Sequence, residues 1–359
     1  MNSVVSKNSA SAKINYSKYT QRKINFGLGL LILIILCSVW AVSVGPIHIG
    51  VKDIIKSIFG KAAGSESSLV IINMRLPAIV AAIVAGFGLA ISGAVMQIVL
   101  RNPLGSPFTL GISQGAAFGA AVSIVFLGTG VIQSNFGDAV VVNNLTVTTI
   151  GSFLGALAGT ITIVMLAKWR DLSPEAVILA GIAMSSLFNA GTMLVECFAT
   201  DTEVASIVFW LFGDVTRASW GQINIMSGVV LTGFIYFMLN RWNYNALESG
   251  EETAKGLGVN TETTRIVGMI VSSLIAAVTV SFLGIIGFIG LLAPHITRRI
   301  IGNDNRFLLP VSGLMGALIL LVSSTLSRIL IHPAILPVGI ITSFLGAPLF
   351  LYILARRRR

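Results

Sequence analysis

Residues 76–100 read LPAIVAAIVAGFGLAISGAVMQIVL and are followed at once by Arg101-Asn102-Pro103. That stretch carries no charge until Arg101 ends it. A helix needs about 20 consecutive apolar residues to cross the hydrocarbon core, because within lipid every backbone polar group must pair inside its own segment. Residues 76–100 meet that requirement, so a membrane-spanning helix is predicted there. Working outward, comparable runs lie near 25–44, 109–128, 146–167 and 175–198, then near 219–240, 264–283, 285–301, 308–328 and 335–355. The fold class expected is an all-α membrane protein of about ten transmembrane helices. The segment 285–301 is the odd one, short, glycine-rich and interrupted by Pro294, and it reads as a broken or partly re-entrant helix.

Composition agrees. Of 359 residues, 55% are hydrophobic and 11% charged, whereas a soluble domain is about a quarter charged. Too few charges remain to cover a soluble surface of this size. Cys37 and Cys197 make no disulfide framework. The net charge of +10 raises the question of a nucleic-acid partner, and the placement of the cations answers it with none. With the N-terminus inside, Lys7, Lys13, Lys18, Arg22, Lys23, Arg101, Lys168, Arg170, Arg241, Lys255, Arg265, Arg298, Arg299, Arg306 and Arg356 to Arg359 fall on the cytoplasmic side. Only Lys52, Lys56, Lys61, Arg75, Arg217 and Arg328 fall outside. This asymmetry fixes both termini in the cytoplasm.

One domain, 23–359, is expected behind a polar tail, 1–22, rich in Ser, Asn and Lys and read as disordered. The apolar run after it is too long for a signal h-region, and no small-residue cleavage site stands out. The spans hold almost no ionisable residue at their centres, which counts against a proton- or sodium-coupled carrier. His48, His295 and His332 lie near different span ends without an H-E-x-x-H pairing, and Gly60-Lys61 lacks the rest of a phosphate-binding loop. No catalytic residue, resident metal or cofactor is expected. The glycine steps Gly115/Gly119 and Gly155/Gly159, with Gly86 and Gly93 two turns apart, read as close helix packing.

Two surfaces resemble docking sites. In the loop 241–263, Ser249 and Glu252 have capping-box spacing. A short helix through Glu251, Glu252, Ala254 and Lys255 would then stop at Gly256 or Gly258, with Asn260 capping the next helix. On the outer side, the segment from Gly45 to Met74 reads as a loop with a short amphipathic helix, Val51-x-x-Ile54-Ile55-x-x-Ile58. Arg75 closes that loop and Arg328 ends another span on the same side, either snorkelling or presenting exposed guanidinium forks to carboxylates. Ser173-Pro174-Glu175 is a helix start.

Several motifs carry a resemblance. Arg75-Leu76-Pro77, Gly86-x-x-Leu89-Ala90-x-Ser92-Gly93-Ala94-x-x-Gln97 and Arg101-Asn102-Pro103-Leu104 come first. Leu110-Gly111-Ile112-Ser113-x-Gly115, Gly287-Phe288-Ile289-Gly290-Leu291-x-x-Pro294-His295-x-x-Arg298, Leu336-Pro337-Val338-Gly339 and Leu345-Gly346-Ala347-Pro348 follow in order. Together these resemble the FecCD/BtuC-type permeases of bacterial type II ABC importers, from about residue 25 to the end. The resemblance implies a multi-pass permease in a bacterial cell membrane. A second permease copy or paralogue, two cytoplasmic ATPase subunits and an extracytoplasmic substrate-binding protein would be its partners. Cargo would be an iron(III)–siderophore complex, or otherwise haem or cobalamin. By position, Glu251, Glu252, Ala254, Lys255, Gly256 and Gly258 match the family's ATPase-coupling helix, and Arg75 and Arg328 match arginines that meet the binding protein. Some members carry a further arginine where this chain has Ala78. An ion-coupled carrier, an intramembrane enzyme and a signalling scaffold are the alternatives.

Overall fold

The computed structural model describes residues 2–44, 66–132, 140–142, 145–169, 173–331 and 335–355. Fourteen helices account for nearly all of them. α1 (Asn2–Ser43), α2 (Glu66–Val70) and α3 (Leu76–Val99) come first, followed by α4 (Ile112–Phe126), α5 (Leu145–Trp169) and α6 (Pro174–Glu196). Next are α7 (Asp201–Leu211), α8 (Trp220–Leu239), α9 (Arg241–Glu248), α10 (Glu251–Gly256) and α11 (Thr261–Leu283). The chain ends with α12 (Ile289–Ile301), α13 (Asn305–Ser327) and α14 (Val338–Ala355). A three-residue antiparallel pair, Gly130–Ile132 with Val140–Val142, joins α4 to α5.

Every expected span coincides with a helix. Among the described residues, seven helical stretches are long and apolar enough to cross a membrane. The exceptions are α4, α12 and α14, with 15, 13 and 18 residues. At 1.5 Å per residue, α12 rises about 20 Å, short of the roughly 30 Å hydrocarbon core.

α3 lies at the centre, with α13, α11, α12 and α8 packed around it. Lipid tails are as apolar as leucine, so helices associate there through close van der Waals fit and small residues. α3 has that character: a Cβ on Gly86 would overlap the backbone of Gly316 in α13. α4 and α5 meet in the same way through Gly119 and Gly151, so the glycine steps do pack helices. Large side chains such as Leu36, Met165, Leu187 and Phe344 point outward from α1, α5, α6 and α14, as a lipid-facing surface requires.

Several local readings need correction. α1 is helical from Asn2, and the segment 2–22 contains neither Gly nor Pro to break the run into the first span. Lys23 is 2% exposed, its ammonium 4.1 Å over the Tyr19 ring and 5.2 Å over the Phe307 ring, which ties α1 to α13. Arg75 does not close a loop. It sits in a single π turn, Ile71–Arg75, that carries α2 into α3 without a break. Pro77 cannot donate to the carbonyl four residues back, and the widened turn, with Leu76 N–H donating to Ile71 O, accommodates that loss. α7 was not anticipated, although Thr200 and Glu203 form a capping box at its start. The expected amphipathic helix at 51–58 lies outside the described residues.

Candidate functional site

Both ends of the bundle carry charge. At one end, α9, α10 and the first turn of α11 form a compact cap. Ser249 does not cap α10 as expected; its hydroxyl donates back to Asn245 O and closes α9. Gly250 takes the cap position at φ 123°, a backbone angle that L side chains rarely adopt. The stop at Gly258 is as read: at φ 80° its N–H donates to Lys255 O, and Val259 N–H reaches Ala254 O at 3.0 Å. This is the Schellman pattern. Asn260 caps α11 through Thr263 N–H at 2.9 Å.

α10 is therefore short and fixed at both ends. Ala254 is fully buried and seats it, while Glu252, Lys255, Gly256, Leu257 and Gly258 are exposed. Leu257, 69% exposed, forms an apolar tip. Glu251 turns the other way. Its carboxylate lies 3.0 Å from Arg265 Nη2, 3.2 Å from Lys255 Nζ and 3.9 Å from Arg101 Nη1. The Arg265 hydrogen bond, then that of Lys255, holds its carboxyl below the usual carboxylate range. Beside it opens a recess of about 610 Å³ bordered by Ala167, Val177, Glu262 and Met269.

Arg101 follows the end of α3 at φ 48°. Arg101 N–H donates to Ile98 O and Asn102 N–H to Gln97 O, so Arg101 occupies the left-handed position of a Schellman stop, where glycine is usual. An L residue there costs about 1–2 kcal/mol.

A second network ties α9 to α12 and α13. Glu248 pairs with Arg298 and accepts from Asn305 Nδ2 at 3.3 Å. Asn245 Oδ1 receives Asn305 N–H at 2.9 Å. Burial pushes the Glu248 carboxyl above its ordinary range although Arg298 opposes the shift. Asp304 holds Arg306 at 2.6 Å, and the Arg306 guanidinium stacks 5.0 Å from the Trp242 ring.

The opposite end differs from expectation. Arg75 and Arg328 are not exposed forks: they are 5% and 6% exposed. Arg75 Nη1 donates to Val42 O at 2.5 Å, and Arg328 Nε donates to Ser324 O at 3.2 Å. The sequence reading missed Arg217, whose guanidinium caps the end of α7 through Trp210 O and Phe209 O. Nearby, three strands of irregular backbone cross. Asp214 N–H meets Leu283 O at 2.7 Å, Gly339 N–H meets Gly213 O at 3.0 Å, and Phe212 bridges Ile285. No group of three or more His, Cys, Asp or Glu that could hold a metal occurs among the described residues.

The model of the FecCD transport family matches residues 30–356. The chain belongs to the FecCD transport family. An ABC transporter permease protein of Methanocaldococcus jannaschii is 54% identical over 341 residues, covering 95% of this chain and 97% of its own. The hemin transport system permease protein HmuU of Yersinia pestis is 33% identical over 330 residues, 92% of this chain and 95% of its own. A solved metal-chelate type ABC transporter in an inward-facing conformation superposes with a TM-score of 0.77 at 28% identity, covering 93% of this chain and 99% of that one. This FecCD chain is accordingly a multi-pass integral membrane protein and an ABC importer permease of the FecCD/BtuC type.

Proposed function

We propose that this permease carries iron(III)–siderophore complexes, delivered by an extracytoplasmic binding protein and driven by two cytoplasmic ATPase subunits. A second permease, identical or paralogous, completes the pathway. The observation that carries this reading is α10, a rigid helix with an exposed tip and an inward-facing charge, anchored between the end of α3 and the start of α11. A soluble partner that moves such a helix moves the bundle. ATP binding draws the ATPases together, α10 follows, and helix tilts open the pathway to one side at a time. A bound solute shifts an access equilibrium only by its differential affinity for the two states, so the nucleotide does the driving.

The charged end with α9 and α10 is then the cytoplasmic one, and both termini lie on that side. Arg75 and Arg328 are the candidates for docking the binding protein. Their burial means that docking must draw the side chains outward toward partner carboxylates. Relatives are named for hemin, Fe(3+)-citrate, vitamin B12 and iron(3+)-hydroxamate, which supports a bulky metal chelate as the cargo class.

Reconstitution with candidate ATPase and binding subunits in proteoliposomes tests this, with labelled iron(III)–hydroxamate, haem and cobalamin as probes. Uptake of the hydroxamate that requires ATP and survives a protonophore is expected. Uptake that collapses with the protonophore while ATP is plentiful overturns the ABC mechanism. Preference for haem or cobalamin overturns the cargo assignment alone.

A further inference from the structure

The coupling reading takes Glu251 together with the rest of α10, but its carboxylate is bound to cations of the bundle. Glu251 begins α10, yet it faces away from the exposed tip at Leu257. Its three cations come from separate places in the fold: Lys255 from α10 itself, Arg265 from the start of α11, and Arg101 from just past the end of α3. α3 and α11 pack on each other through the core, and they leave it at this point. Glu251 is the group that both of them reach.

Arg101 gives an independent reason to read this as designed. A glycine would fill its left-handed position without strain, and an arginine stands there instead. Backbone strain of this kind persists where surroundings over-determine it and clusters at functional elements. Gly250 is called for by its φ of 123° and not by space, since a Cβ built on it would meet Arg101 Nη2 only at an ordinary 3.8 Å.

We propose that Glu251 is a positioning residue, a latch that binds the end of α3 to the start of α11 through α10, so that a displacement of α10 moves both helices as one. The face that docks a cytoplasmic partner is then Glu252 and Leu257, and Glu251 transmits what that face receives. This rests on the ATP-driven reading above. Physical coupling of this sort is a shared two-state element biased from both sides, and its strength is measurable as non-additivity.

The test is a double-mutant cycle in the reconstituted complex, comparing wild type, Glu251→Gln, Arg265→Gln and the double variant. The readout is moles of labelled iron(III)–hydroxamate taken up per ATP hydrolysed. Each single variant is expected to lower that ratio about fivefold or more, in the usual range of coupling free energies, with the double variant no worse than either. Glu251→Asp, which keeps the charge, is expected to recover most of the ratio. A ratio unchanged in Glu251→Gln, or losses that multiply in the double variant, overturns the latch. Hydrogen exchange gives a second measure that does not depend on cargo. ATP should alter protection at residues 98–102 and 261–265 together in wild type and separately in Arg265→Gln. Joint alteration in both proteins also overturns it. A wild-type complex without ATP-driven uptake defeats the proposed function instead.

Discussion

Gly93 in α3 lies backbone to backbone against Gly290 in α12, so that a Cβ on Gly93 would overlap the Gly290 carbonyl. The overlapping atom is main chain and cannot rotate away. Gly93→Ala must therefore push α12 off α3, a form of overpacking that costs about 1–3 kcal/mol. A lower melting temperature of the detergent-purified protein is expected, measured against Gly29→Ala, where nothing stands within 4 Å. Equal melting of the two variants would refute this packing.

Glu251 gives the charged end a pH dependence of known sign. Its folded carboxyl is held below the ordinary range by Arg265 and Lys255, so its contribution is complete above that range. The contribution is lost as pH falls through the lowered folded value. The charged groups that face it are Arg101, Lys255 and Arg265. Amide protection of α10 should thus weaken on acidification in wild type, and Glu251→Gln should remove that weakening.

Leu257 is the exposed apolar tip of a helix seated by Ala254. Leu257→Asp leaves the seat and places a charge on the docking face. Association with the ATPase subunits should weaken about tenfold or more, the scale of a central interface residue, with little change in melting temperature. Binding measured by surface plasmon resonance decides the point.

Arg75 and Arg328 test the opposite end. Charge reversal at either should slow binding-protein association and flatten its dependence on ionic strength, because complementary charge acts mainly on the on-rate. Association rates equal to wild type at low salt would remove both residues from docking.

Much of this architecture was legible because lipid imposes a simple demand: each crossing must be long, apolar and internally hydrogen-bonded. Leu76–Val99 and Thr261–Leu283 satisfy that demand with almost no ambiguity. The stop at Gly258 and the cap at Asn260 were readable because they depend on neighbours within a few residues. Three features were hidden for the converse reason. The π turn before Leu76 answers a proline in a helix that continues through it. The Gly250 cap displaced Ser249 because α9 runs directly into the turn and claims the hydroxyl. The burial of Arg75 and Arg328 depends on Val42 and Ser324, contacts set by how helices assemble and invisible in a local pattern. Arg217 belongs to the same class, since its carbonyl partners lie on a helix whose only announcement was Thr200 with Glu203.

The brevity of α12 has one more consequence. A helix that rises about 20 Å leaves part of the bilayer's depth to the irregular stretch from Gly284 to Phe288. Unpaired amides are not tolerated against acyl chains, and beside it Asp214 N–H donates to Leu283 O while Gly339 N–H donates to Gly213 O. The backbone there satisfies itself without a regular helix, and the recess beside it is walled mainly by apolar side chains such as Phe212, Ile285, Ile340 and Phe344.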